Sequence, residues 1–170
     1  MKTKPLTALH QDSRNPLFPL LLAAFVVILS VTCFASYSFG IDEVQLKKLL
    51  ALGHCPECDL SGADLQGADL SGANLFGAKL KGANLKKANL QEAKLGGAYL
   101  LEANLSMADL GGANLLGAIL VGADLQGASL SKANLTWADL TGADLTGAKI
   151  EDTIFCNTKT PWGLDNSGCK

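Results

Sequence analysis

Arginine is almost missing from this chain of 170 residues: Arg14 is the only one. Arginine is the side chain best suited to bidentate capture of phosphate and carboxylate, so its absence from residues 15–170 argues against a nucleotide or phosphoryl-transfer site. Histidine is scarce as well, with only His10 and His54. A Ser–His–Asp relay beyond the N-terminal segment would have to use His54, Asp59 and Ser61, and the ordinary reading of His54 is a loop residue. Aromatic residues make up 6% of a chain that is 48% hydrophobic, so its apolar bulk comes from small and aliphatic side chains. No strong charge of one sign is present either. The 16 acids and 14 bases leave −2 at pH 7, which argues against broad nucleic-acid affinity through counterion release.

Among the things present, the first is a leader. Lys2, Lys4 and Arg14 precede 27 uncharged residues, Asn15 to Ile41, most apolar from Leu20 to Leu29. Cys33 and Ala35 put small residues at −3 and −1 of a cleavage after Ala35, the order of a secretory signal. The same tract is long enough for one membrane span of about 20 residues, so a retained N-terminal anchor is the alternative. Pro16, Pro19 and the flanking charges fit a buried core helix poorly, and Thr32 before Cys33 fits a lipoprotein poorly. In either export case the basic end stays in the cytoplasm and residues 42–170 cross the membrane. Loss of residues 1–35 removes three bases and one acid, leaving 11 bases and 15 acids, a net charge of −4.

From Cys58 onward the chain repeats every five positions: CDLSG, ADLQG, ADLSG, ANLFG, AKLKG, and so on to AKIED and TIFCN, 20 pentads in all. The central position is Leu 18 times without exception, Leu60 to Leu145, then Ile150 and Phe155. Two residues before each centre, Ala63 through Ala148 is likewise invariant 18 times. These are the two inward positions. A period of five fits neither 3.6 nor 2, so neither an α-helix nor a flat strand keeps Leu on one side along its length. The chain must turn once per pentad. The Gly that usually sits two after each Leu supplies a turn conformation, and the Asp or Asn before the Leu can bond neighbouring backbone.

The run resembles the pentapeptide-repeat family, whose pattern is a small residue, Asp or Asn, Leu or Phe, and two freer positions; the match spans about 98 of the 170 residues. The resemblance implies an all-β fold, a right-handed quadrilateral parallel β-helix with one pentad per side, so that 20 pentads make about five coils. At a strand spacing of about 4.8 Å the rod is roughly 24 Å long. Stacked Leu and Ala layers fill such an interior without aromatics. The segment CPECDLSGADL, the FCNTKTPWG stretch and the final SGC resemble exported cyanobacterial members, found in periplasm or thylakoid lumen. The expected organisation is a signal peptide or anchor over 1–41, an N-terminal cap helix and loop over 42–57, the β-helix over 58–157, and a C-terminal cap segment over 158–170. Open β-helix ends leave unpaired edges, so lids are expected. Asp42 can N-cap a helix from about Glu43 to Leu52 with Val44, Leu46, Leu49 and Leu50 apolar and Gly53 as its stop; Pro161, Trp162, Gly163 and Leu164 can lie over the last coil.

Without Cys33, four cysteines remain and allow three connectivities. In the coil implied by the resemblance, Cys58 takes an inward small position and Cys55 the preceding central one, while Cys156 and Cys169 lie about five coils away, beyond the reach of a disulfide. The expected pairs are Cys55–Cys58 and Cys156–Cys169. The sharper reading of Cys55-Pro56-Glu57-Cys58 is a redox-active or metal CxxC, but no βαβ pattern surrounds it and zinc would want more ligands.

The favoured function is a non-catalytic structural or protein-interaction module of an exported compartment, with no cofactor, no metal and no nucleic acid, and with membrane contact only through the N-terminal segment. A thiol–disulfide redox protein using Cys55 and Cys58 is the enzymatic alternative. Some relatives mimic DNA and bind topoisomerase, which needs a strongly acidic rod with cytoplasmic access; residues 59–152 carry 11 acids and 7 bases. If residues 20 apart stack, the first side breaks its polar pattern in the middle. Phe76, Tyr99, Leu101, Leu116, Ile119, Val121 and Trp137 then gather on the first and fourth sides, a surface for an unknown protein partner or for self-association. Replacing a central residue, as in Leu105→Asp, buries an unpaired charge and is expected to abolish soluble expression; a soluble, normally folded variant would refute the inward assignment.

Overall fold

A computed structural model describes residues 43–169 of the protein. The leader expected over 1–41 lies outside the described residues. Within them the unit is one turn repeated. Leu60 C=O accepts the Ala63 N–H at 3.0 Å, and the same bond recurs from Ala108 to Leu105 at 3.0 Å. The third residue of each such turn has positive φ, for example Gly62 at 69° and Gly117 at 65°. Positive φ at that residue alone is the type II arrangement. Among the described residues nine that are not glycine also have positive φ (Glu57, Lys87, Glu92, Glu102, Met107, Lys132, Trp137, Asp152 and Asn157), and all of them stand on this one position of the pentad. The coil therefore imposes the left-handed conformation whether or not the residue favours it, at about 1–2 kcal/mol where a side chain is present.

Each turn redirects the chain onto a new side, and every fourth side returns above the first. Parallel bridges join residues 20 apart in four ladders, among them Asp59↔Lys79, Asp64↔Asn84, Asp69↔Asn89 and Asn74↔Lys94. In each bridge the upper residue uses both backbone groups: Leu65 N–H donates to Asn84 C=O at 2.8 Å, and Asn84 N–H donates to Ala63 C=O at 2.9 Å. Turn residues join the coils as well, as in Gly67 N–H to Lys86 C=O at 2.9 Å. The central Leu of every pentad from Leu60 to Leu140 is at most 3% exposed, and the Ala two residues earlier is buried almost throughout, so the interior is an aliphatic stack.

Helix α1, Glu43–Leu52, lies at the N-terminal end and stops at Gly53, whose φ is 60°. It seats Leu49 in the core with Leu46 packed beside it, and Gln45 Oε1 accepts the Asp59 N–H at 2.6 Å. Val44 and Leu50, expected on the apolar face, are exposed at 74% and 40%. At the other end, strand β1 (Thr158–Thr160) pairs antiparallel with β2 (Gly163–Asp165), and Lys159 extends the first ladder by bridging Asp139. Phe155 is buried edge-on against Trp162, ring centroids 6.4 Å apart, and the buried Thr158 hydroxyl donates to Leu135 C=O at 2.7 Å. This covering is partial. Ile150, expected to continue the inward column, is 41% exposed, and Leu145 is only half-buried, because the chain past residue 157 lies over Asp139 and Phe155 rather than over their side of the coil.

Gly117 has open space around its absent Cβ but a φ of 65°. Gly117→Ala meets no clash, so its cost is backbone strain alone, expected at about 1–2 kcal/mol. A melting temperature lower by several degrees in thermal denaturation is the expected result, and an unchanged one would show that the turn is not what holds this position.

Candidate interaction surface

The residue before each Leu faces the outside of the coil, and where it is Asp or Asn its side chain can serve the turn. Asp59, Asp69, Asn74, Asn104 and Asp124 accept, through Oδ1, the N–H of the residue two ahead at 3.0–3.2 Å. A short side chain ending in an oxygen does this without bending the ladder. On the second and third sides these groups also bond from coil to coil. Asn84 Nδ2 donates to Asp64 Oδ1 at 2.9 Å, Asn89 Nδ2 to Asp69 Oδ1 at 3.0 Å, and Gln126 Nε2 to Asp144 Oδ2 at 2.6 Å. Polar ladders of this kind occupy their own donors and acceptors.

The first side is built differently. Its ladder runs Asp59, Lys79, Tyr99, Ile119, Asp139, Lys159. The charges pair at the two ends, Lys79–Asp59 at 3.6 Å and Lys159–Asp139 at 3.0 Å, and the middle is apolar. Tyr99 and Ile119 are direct bridge partners; beside them Leu101 and Val121 occupy consecutive coils, since Gly82 N–H donates to Leu101 C=O and Glu102 N–H to Val121 C=O. On the adjoining fourth side the Phe76 ring lies over Gly96, whose Cβ would meet it at 3.2 Å, and Leu116 follows one coil beyond. Trp137 stands at the corner between these sides, with its positive φ. Phe76, Tyr99, Leu116 and Trp137 are exposed at 56%, 46%, 45% and 65%, while Leu101, Ile119 and Val121 are half-buried. The seven residues thus fall on two neighbouring sides, with Phe76 and Leu116 held apart by Gly96.

Met107, 61% exposed on the second side, is an apolar surface residue that the sequence reading passed over; its signal was an apolar residue in the glycine position. Trp162 and Leu164, expected to lay their side chains over the last coil, are instead exposed at 58% and 65%, and Ile154, in the fourth outward column, at 39%. Cys55 and Cys58 are paired, Cα atoms 5.5 Å apart, at 0% and 7% exposure; Cys156 and Cys169 are paired with Cα atoms 4.7 Å apart, Cys169 being exposed. Among the described residues no group of three or more His, Cys, Asp or Glu is placed to hold a metal ion. His54 is exposed and enters the fourth ladder through a backbone bridge to Asn74, whereas Ser61 bonds Asp59 directly, so His54 does not stand between them as a relay would require.

Pentad turns, parallel bridges and a Leu–Ala interior define a β-helical repeat protein. Three overlapping segments, residues 55–91, 83–120 and 118–155, match the Pentapeptide repeats family, with eight copies. The chain belongs to the pentapeptide-repeat family, whose members fold as right-handed β-helices. Similar solved structures include a pentapeptide repeat protein of the cyanobacterium Cyanothece 51142, 32% identical over 65% of this chain and 92% of that one, with a TM-score of 0.42. A second, from the Arabidopsis thaliana thylakoid lumen, is 32% identical over 65% of this chain and 77% of that one, with a TM-score of 0.44. A plasmid-mediated fluoroquinolone resistance protein is 22% identical over 63% and 62%, with a TM-score of 0.33. No match is found among curated proteins.

The outward carboxylates are titratable parts of the turns. Hydroxyl donation from the residue two ahead, backed by its N–H, holds Asp59, Asp69, Asp139 and Asp144 below the ordinary carboxylate range through Ser61, Ser71, Thr141 and Thr146. Lys79 lowers Asp59 further, and Lys159 lowers Asp139 further. A carboxyl whose pKa is depressed on folding stabilises the fold fully above its unfolded value near 4, and that contribution is lost as pH falls through the folded value. The melting temperature is therefore expected to be flat from pH 7 to about 5 and to fall below about pH 4. Asp139→Asn keeps the turn's acceptor and should shallow that acid limb. An acid limb identical in the variant would place the loss elsewhere.

Proposed function

We propose that this protein is a non-catalytic interaction scaffold of an exported compartment, a four-sided rod of about five coils with α1 as its N-terminal lid. The observation that carries the reading is the contrast between sides. The second and third engage their polar groups in coil-to-coil bonds, whereas the first places Tyr99 and Ile119 between two ion pairs. An apolar centre within a charged rim is the layout of a protein-binding patch. Export agrees with the apolar tract 15–41 and with two disulfides, Cys55–Cys58 and Cys156–Cys169, which persist in oxidising compartments. The redox alternative is disfavoured by the burial of Cys55 and Cys58, because exchange requires a thiolate to reach the sulfur. The DNA-mimic alternative is disfavoured by bases interleaved among the acids, with Lys79 and Lys159 each paired to one.

Tyr99→Lys with Ile119→Lys changes only exposed or half-buried positions, so stability should stay within about 0.5 kcal/mol. The expected result is an unchanged melting curve together with loss of the partner recovered by cross-linking and pull-down of the wild-type protein from its native compartment. Recovery of the same partner by the double variant would overturn the lateral patch. Insulin-reducing activity that disappears in the Cys55→Ser, Cys58→Ser variant would instead promote the redox reading.

A further inference from the structure

The outward column of the first side has an order of its own. Along the coils it runs acid, base, apolar, apolar, acid, base: Asp59, Lys79, Tyr99, Ile119, Asp139 and Lys159. Taken in the opposite direction it becomes base, acid, apolar, apolar, base, acid. Set against its own reverse, the column therefore places a lysine opposite every carboxylate and an apolar side chain opposite each apolar one. Successive members are one coil, about 4.8 Å, apart, so two such columns stay in step. The second and third columns lack this property. On the second side the same reversal opposes Asp64 to Asp144, and on the third it opposes Asp109 to itself.

The two shoulders of the first side obey the same reversal. It carries the coil of Tyr99 onto that of Ile119 and the coil of Lys79 onto that of Asp139. On one shoulder half-buried Leu101 then faces half-buried Val121. On the other, Leu116 falls against Gly96, which has no side chain of its own and is covered by the Phe76 ring, 3.2 Å from where its Cβ would stand. Phe76 meets the coil that carries Trp137; the two rings are exposed at 56% and 65%. Apolar groups thus meet apolar groups in the same register that pairs the charges.

We infer, resting on the first side being a protein-binding patch, that its partner is a second copy of this chain laid alongside and antiparallel, on a twofold axis that passes between the coils of Tyr99 and Ile119. Lys79 then faces the partner's Asp139, and Asp59 the partner's Lys159. The ion pairs within each chain, Lys79–Asp59 at 3.6 Å and Lys159–Asp139 at 3.0 Å, become halves of a square of four alternating charges. A lysine ammonium has three donors, enough to serve both carboxylates. Parallel copies are excluded by charge, because a twofold along the rod opposes every residue to itself, Asp to Asp and Lys to Lys. Sliding one antiparallel copy by a single coil sets Asp59 on Asp139 in one direction and Lys79 on Lys159 in the other. One register survives. A contact that uses the same surface on both copies closes at two. The copies run in opposite directions, so their N-terminal ends point apart, and the arrangement belongs with cleavage of the leader, not with its retention in one membrane.

The test uses the chain produced with its leader and recovered from the compartment to which it is exported. A zero-length carbodiimide, which condenses a lysine amine with a carboxylate it touches, is expected to give a dimer whose peptide map joins Lys79 to Asp139 and Asp59 to Lys159. Neither link can form within one chain, since Lys79 and Asp139 lie three coils, about 14 Å, apart and Asp59 and Lys159 lie farther still. Lys79→Glu with Lys159→Glu makes the four charged positions acidic, and Asp59→Lys with Asp139→Lys makes them basic. Each variant alone is expected to dimerise at least about tenfold more weakly than wild type by sedimentation, and the two mixed to recover a mixed-tag dimer. That recovery also shows both variants to be folded. A variant that self-associates as well as wild type, a mixture that stays monomeric, or a peptide map without the 79–139 link would each overturn the inference. A foreign protein cross-linked at Lys79 of a monomeric chain would overturn the second copy and leave the patch standing. Tyr99→Lys with Ile119→Lys should dissolve the dimer; if it disturbs neither dimer nor foreign partner, both readings fall.

Discussion

Everything else in this molecule depends on closing a turn every five residues so that the backbone can bond to itself one coil later. Each bridge uses the donor and the acceptor of one residue against two residues of the coil below, as Asn84 does with Ala63 and Leu65. Because the next bridge on the same side is 20 residues away, no strand is long enough to hold its direction alone. Coil and core are therefore one interaction. The Leu stack positions the bridges, and the bridges keep Leu pointing inward through corners that nine side-chain-bearing residues pass in an unfavourable conformation. That the coil forms at Glu102, Lys132 and Trp137 as it does at Gly117 shows that long-range pairing outweighs local preference at those sites.

The outer surface follows from the same constraint. Only the residues flanking each Leu and the corner residue are free to vary, so function is written in columns. Two sides use their columns for coil-to-coil hydrogen bonds, and one uses its column for apolar side chains framed by ion pairs. A surface made this way presents its groups at the fixed vertical spacing of the ladders. On the proposed function, a partner would be selected by shape and spacing more than by induced fit.

Much of this was legible in the residues. The invariant Leu and Ala columns identified the interior, and adding residues 20 apart identified which apolar side chains share a side. Four sides came only with the family resemblance, since a period of five is equally compatible with other polygons. The ends were less legible for a physical reason: a repeat pattern says which way a side chain points but not whether another layer covers it. Ile150 occupies the inward column and yet is exposed, because the covering chain lies over two sides and not four. The ten-residue α1 has too few turns for its pattern to separate Leu49, which packs, from Leu50, which does not. Met107 could have been seen as an apolar interruption of the glycine column.

The fourfold return of the ladders gives the rod a phase. A change of 20 residues would insert or delete a whole coil and leave every downstream side where it was. A change of five residues is locally as harmless, since each pentad closes its own turn, but it would rotate everything after it by a quarter turn and carry Ile119 and Val121 away from Tyr99 and Leu101. Length variation in such a chain is thus quantised for the outer columns and nearly continuous for folding, so that pentad duplication can re-pair the columns while every core position keeps its Leu or Ala.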